Sequence, residues 1–109
     1  MIIDTDIGGD DAQALIYAIN QSKNSNIKII GITCINGNTF VQHVAKNAVI
    51  VQALCNTEIP IYIGTFRLME GSENSIIGNM DKDYYFSEDG LGTRQKFYWE
   101  KYIQEGRLK

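Results

Sequence analysis

The chain has 109 residues, 44% of them hydrophobic and 21% charged, a length that holds one domain or part of one. Ten Lys+Arg against 13 Asp+Glu give a net charge of −3 and a pI near 5.0, which argues against a surface built for nucleic acid or for an anionic membrane. No stretch reaches the roughly 20 apolar residues that span a bilayer, and two cysteines make no disulfide scaffold.

The run of Met1 straight into Ile2, Ile3 and Asp4 has neither the basic stretch nor the apolar run of a secretory leader, so none is expected. Residues 1–5 read as a buried strand, short enough that a true start is expected upstream of Met1. Gly8 and Gly9 break that pattern. Ala12, Leu15, Ile16 and Ile19 then fall at helical spacing and predict a helix over 10–22 with one apolar face. "NSN" at 24–26 is a turn. "IKIIGITCI" at 27–35 is a β-branched run with little polarity, expected of a strand buried on both faces. After the "NGN" loop at 36–38, Val41, Val44, Ala45, Ala48 and Val51 predict a second helix over 39–55. Thr39 with Gln42 has the spacing of a capping box at its start. "IPIYIG" at 59–64 is a third strand, with the only proline, Pro60, at its tolerated beginning. Cys34 and Cys55 read as small buried thiols, which fits a reducing, cytoplasmic setting. Residues 65–92 show no clean period and read as a long loop region. "RQKFYWEKYIQ" at 94–104 predicts an amphipathic helix with Phe97, Tyr98 and Tyr102 facing inward.

The order β-α-β-α-β implies a parallel sheet with helices packed on it. Three strands are few for such a sheet, so the chain reads as the first half of a doubly wound domain. The division expected is 1–92 as that half and 93–109 as a divergent C-terminal segment.

The chemistry gathers in "DTDIGGDDA", where Asp4, Asp6, Asp10 and Asp11 crowd the junction of the first strand and first helix. Ligands of open α/β sheets bind outside the carboxyl ends of the strands, and this junction is one. Two unit charges 4 Å apart repel by about 4 kcal/mol at an effective dielectric of 20. The first basic residue is Lys23, so a hard divalent cation is the natural partner for these oxygens. The plainer account is that Asp10 or Asp11 caps free N–H groups at the helix start. Asn36 and Asn38 lie at the end of the second strand, on the same edge of the sheet. Turn and cap roles compete there with a ligand role.

These residues carry a resemblance. "DTDIGGDDAQAL" resembles the N-terminal signature of the inosine-uridine preferring nucleoside hydrolases, DTDxGxDDAxAL. "GITCINGN" is similar to that family's strand ending in Gly-Asn, "VAKNAVIVQAL" to its Asn-containing second helix, and "IPIYIG" to its third strand. "DGLG" at 89–92 resembles the end of its His-Gly-x-x-Gly-Leu-Gly loop, although Phe86 and Ser87 stand where many members have His-Gly. The stretch after Gly92 departs from the family pattern.

The resemblance implies an open, mostly parallel Rossmann-like sheet with helices on its faces. It implies hydrolysis of the N-glycosidic bond of a small-molecule ribonucleoside to ribose and free base, with Ca²⁺ as cofactor and, as is usual in the family, homo-oligomers. It makes Asp6 and Asp11 the calcium ligands and Asp6 also the acceptor of the attacking water's proton. Asp10 then hydrogen-bonds a ribose hydroxyl, Asn38 orients water or sugar, and Asp4 supports the loop. The lone His43 takes no catalytic role. The family's catalytic domain is far longer, so this 109-residue chain is expected to be a poor catalyst. Two further readings remain. In a haloacid-dehalogenase-like, Mg²⁺-dependent phosphotransferase, Asp4 would be the nucleophile and Asp6 the general acid. In a non-catalytic truncated homologue, neither would act.

Overall fold

The computed structural model describes residues 1–65 and 88–108. Along them run β1 (Ile2–Thr5), α1 (Gly9–Lys23), β2 (Gly31–Cys34), α2 (Val41–Cys55), β3 (Ile61–Ile63) and α3 (Gln95–Gln104). The three strands form one sheet in the order β1-β2-β3, and both pairings are parallel. Ile2 stands opposite Gly31 and Thr5 opposite Cys34, while Ile32 stands opposite Ile61. The β-α-β-α-β order therefore closes as a parallel sheet, as the spacing of apolar runs implies. Most of the predicted loop region over 65–92, Phe86 and Ser87 included, lies outside the described residues.

Both crossovers step in the same direction across the sheet. Since β-α-β crossovers are right-handed, α1 and α2 pack on the same face. That face carries the core: Ile32 and Cys34 from β2, Leu15 and Ile19 from α1, and Val41, Val44, Ala48 and Val51 from α2, all buried, with Ile3, Ile16 and Ile61 packed against them. The apolar stripes read at helical spacing are the ones that face the sheet.

The opposite face has no helix on it among the described residues, and this corrects two expectations. Ile2 is 61% exposed, so β1 is not buried on both faces. In the 27–35 run, Ile27, Ile30 and Ile35 are exposed, and only Gly31–Cys34 pair as strand. A β-branched run reports strand propensity, but burial of its second face depends on a layer that only tertiary structure supplies.

The helix termini also depart from expectation. The proposed capping box does not form, because α2 begins at Val41 and Thr39 is drawn away to donate its hydroxyl hydrogen to the Glu88 carbonyl. The Val41 N–H donates instead to Asn36 Oδ1 at 2.6 Å. Helix α1 starts after Gly8 with no side-chain cap, so neither Asp10 nor Asp11 caps it. Helix α3 forms where predicted and lies on α2, with Tyr102 buried against Ile50 and Ala53, and Tyr98 and Trp99 beside them. Phe97, expected inward, is 62% exposed, because the buried stripe of this helix runs through Gln95, Tyr98 and Tyr102. Both cysteines are buried and free. No helix among the described residues is long and apolar enough to cross a membrane.

Candidate active site at the carboxyl ends of the strands

All three strands point their carboxyl ends the same way, so the loop after β1 (residues 6–8) and the loop after β2 (residues 35–40) lie side by side. Asp6 is the first residue past β1. Its Oδ2 accepts a hydrogen bond from the Asn38 N–H at 3.0 Å. This approach requires a glycine at 37: a Cβ there would sit 2.1 Å from Asp6 Oδ2 and 2.6 Å from Asp6 Cβ. Gly37 thus belongs to the site for want of a side chain.

Asp11, on the first turn of α1, turns back toward β1, where its Oδ2 accepts from Thr5 Oγ1 at 2.8 Å. The same hydroxyl oxygen accepts from the Ile7 N–H at 3.3 Å. Burial pushes the Asp6 carboxyl above the ordinary carboxylate range, and the Asp11 carboxyl beside it pushes the same way through a shared hydrogen bond and repulsion. The Asn38 N–H works against both. Burial is the larger cause, and the neighbouring carboxyl adds to it.

The structure therefore brings together Asp6, Asp11 and the backbone of Asn38. Asp10 makes no third member of a metal-holding group with them. It is exposed on α1 and lines an open groove of about 940 Å³ bounded by α1, α2, α3 and the Gly90–Gly92 turn. Asp4 lies on the uncovered face of the sheet and accepts from Thr33 Oγ1 at 2.6 Å, a strand-to-strand tie. His43 sits on α2 and meets Gln95, whose Oε1 lies 3.1 Å from its Nδ1. With a carbonyl oxygen as partner, Nδ1 carries the proton. No group of three His, Cys, Asp or Glu side chains is close enough to hold a metal ion among the described residues. Asp6 and Asp11 are nevertheless hard oxygen donors of the type Ca²⁺ takes.

Sequence reasoning passed over a second layer. Asn47 of α2 is fully buried. Its Nδ2 donates to the Ile7 carbonyl at 3.3 Å and to the Asp89 carbonyl at 2.8 Å, and its Oδ1 accepts from Gln95 Nε2 at 2.7 Å. Asp89 in turn orders the start of α3. Its Oδ1 accepts from the N–H groups of Leu91 and Thr93, and its Oδ2 accepts from that of Gln95. Gly90, at φ +78°, rests against this network, and a Cβ there would lie 2.9 Å from the Ile7 carbonyl oxygen. The available signal was an asparagine set between Val44, Ala48 and Val51, in the apolar stripe of a helix.

The model of the family described as inosine-uridine preferring nucleoside hydrolase matches residues 1–106. "Probable uridine nucleosidase 2" of Arabidopsis thaliana is 33% identical over 95 residues, covering 86% of this chain and 27% of that protein. "Probable uridine nucleosidase 1" of Oryza sativa subsp. japonica is 31% identical over 94 residues, covering 85% and 26%. A solved structure, "Inosine-Guanosine Nucleoside Hydrolase (IG-NH)", superposes with a TM-score of 0.67 at 32% identity, covering 84% of this chain and 26% of that one. The chain thus spans about a quarter of the length of these relatives.

Proposed function

The chain belongs to the inosine-uridine preferring nucleoside hydrolase family, and on that premise we propose that it carries the acidic part of a site that hydrolyses the N-glycosidic bond of a ribonucleoside. The observation that supports this reading is the Asp6–Asp11 pair at the carboxyl end of β1, braced by the Asn38 N–H and the Thr5 hydroxyl.

Asp6, the first residue past β1 at the strand ends, is the group that takes the proton of the attacking water, the general-base role its place in the family motif implies. Cleavage develops positive charge on the sugar ring, and carboxylates already fixed in place stabilise it without reorganising. Asp10, exposed beside the groove, is free to accept a hydrogen bond from a ribose hydroxyl. Asn38, whose N–H donates to Asp6, orients water or sugar through its side chain, the role its place in the family motif implies. Asp6 and Asp11 are the residues of this chain that would hold Ca²⁺, which when bound supplies Lewis acidity toward oxygen. Calcium takes about 6–8 oxygen ligands, so the two carboxylates fill only part of its shell.

The test is direct. The chain and a full-length relative with the same N-terminal motif are incubated with inosine and with uridine, with and without Ca²⁺, and free ribose is measured. Ca²⁺-dependent ribose release by the relative that disappears in Asp6→Ala supports the reading. Release unaffected by that substitution removes Asp6 from the chemistry. In the phosphotransferase reading, p-nitrophenyl phosphate would be turned over with Mg²⁺ instead. The tie between Asp4 and Thr33 offers no support for Asp4 as a nucleophile.

A further inference from the structure

We propose that Asn47 is a positioning residue for the acidic loop, fixing the peptide that follows Asp6 by clamping it to the Asp89–Gly92 turn. The proposal rests on the reading of the Asp6–Asp11 pair as the reactive site. The acidic loop carries two adjacent glycines, Gly8 and Gly9, immediately after Ile7. Glycine has the widest backbone freedom of any residue, so the direction in which the chain leaves Asp6 is not set locally and needs ties from outside.

Among the described residues, one local tie and two from distant segments hold it. Asn38 holds the Asp6 carboxyl, Thr5 Oγ1 holds the Ile7 N–H, and Asn47 Nδ2 holds the Ile7 carbonyl. Only the last comes from a helix interior. Asn47 is fully buried and rigidly seated by the core around it, with Val44, Ala48 and Val51 as neighbours on its helix. The same Nδ2 spends its second hydrogen on the Asp89 carbonyl, so the loop and the turn hang from one nitrogen. Gln95 fixes the amide plane by donating to Oδ1, and its Nε2 also donates to the His43 carbonyl at 3.1 Å. Gly90 lets the turn close to contact distance of Ile7. A valine at 47 would fill much of the space, but would leave the carbonyls of Ile7 and Asp89 without this donor.

A matched control lies on the same helix. Gln52 is also a buried amide that ties α2 to a chain segment, but its partners are the backbone N–H and carbonyl of Ile59, before β3 and away from the acidic loop. The experiment compares Asn47→Ala, Asn47→Asp and Gln52→Ala in the 109-residue chain. Asn47→Asp keeps the shape and still accepts from Gln95, but its carboxylate cannot donate, and it serves as the informative variant should the alanine form fail to fold. Two readouts are taken: amide hydrogen exchange without metal, and binding of Tb³⁺ alone, a luminescent ion that takes the same oxygen ligands as Ca²⁺.

The expected result is selective exchange at residues 7–11 and 89–93 in both Asn47 variants, faster by about tenfold, the equivalent of one lost buried hydrogen bond. Tb³⁺ affinity should fall by about tenfold or more in the same variants, as for other supports of metal ligands. Gln52→Ala should show neither. Exchange that rises uniformly, or equally in the Gln52 control, overturns the proposal. If the loop loosens selectively while the unaltered chain binds no Tb³⁺, positioning stands and the metal-site reading fails.

Discussion

Gly37→Ala is expected to disturb Asp6 directly. The new Cβ would fall 2.1 Å from Asp6 Oδ2, 2.7 Å from Cγ and 2.6 Å from Cβ. Carbon atoms normally settle about 3.5–4.0 Å apart. Turning the carboxylate away relieves the first two overlaps but not the third, because Asp6 Cβ is fixed to the backbone. Either the 36–38 loop or the end of β1 must then retreat by about 1 Å, an overpacking change that costs about 1–3 kcal/mol. The retreat also stretches the 3.0 Å bond from the Asn38 N–H to the carboxylate, and a bond to a charged group is worth about 1.5–3 kcal/mol. A loss of about 3 kcal/mol follows, which at a urea slope of about 1.5 kcal/mol per molar moves the unfolding midpoint down by about 2 M. Gly9→Ala is the control, since nothing lies within 4 Å of the added Cβ. It sits in the first turn of α1, where alanine should stabilise by about 0.5–1 kcal/mol. Equilibrium urea unfolding followed by Trp99 fluorescence or circular dichroism measures both. If Gly37→Ala unfolds within about 0.3 M of the unaltered chain, far short of the shift of about 2 M, the close packing of the two loops is wrong.

The remaining expectations are independent of that one. Asp6→Ala in a full-length relative should lower turnover by at least about 10²-fold, since it removes a proton acceptor, and near-normal ribose release would dismiss the assignment. Thr93 is a β-branched residue at φ +68°; Thr93→Gly removes about 1–2 kcal/mol of left-handed strain against a smaller entropic cost, so the melting temperature should rise, and a fall would count against the turn geometry. Burial, helped by Asp4, raises the Cys34 thiol to about 11 from an ordinary 9.0. A raised folded value means the native state keeps its proton longer than the unfolded chain. This contribution is therefore complete below about pH 9 and is lost as pH climbs from 9 to 11. Cys34→Ala should flatten the stability curve in that window, and an unchanged slope would contradict it. Tyr102→Ala empties the contact between α2 and α3 and should cost about 3 kcal/mol; selective loss of protection in α3, with the sheet intact, is the expected exchange signature.

What could be read from the sequence alone was whatever has a period or a fixed spacing. Apolar residues at 12, 15, 16 and 19 and at 41, 44, 45, 48 and 51 define helix faces, because a helix repeats every 3.6 residues whatever surrounds it. The alternation of those helices with β-branched runs defines a parallel sheet, because a parallel connection needs a crossover. The motif "DTDIGGDDA", set directly after an apolar strand run, puts its acidic residues at a strand end. Tertiary structure decided the matters that depend on two distant segments meeting. Asp4 and Asp6 look alike in sequence, yet one ties β1 to β2 on the open face and the other meets Asn38 at the strand ends. Thr39 has the spacing of a cap but donates to Glu88, 49 residues away. Asn47 reads as one polar interruption of an apolar stripe until Ile7, Asp89 and Gln95 converge on it. Periodicity is a property of one segment of chain, whereas a hydrogen bond between loops belongs to neither loop until packing brings them within 3 Å or so of each other.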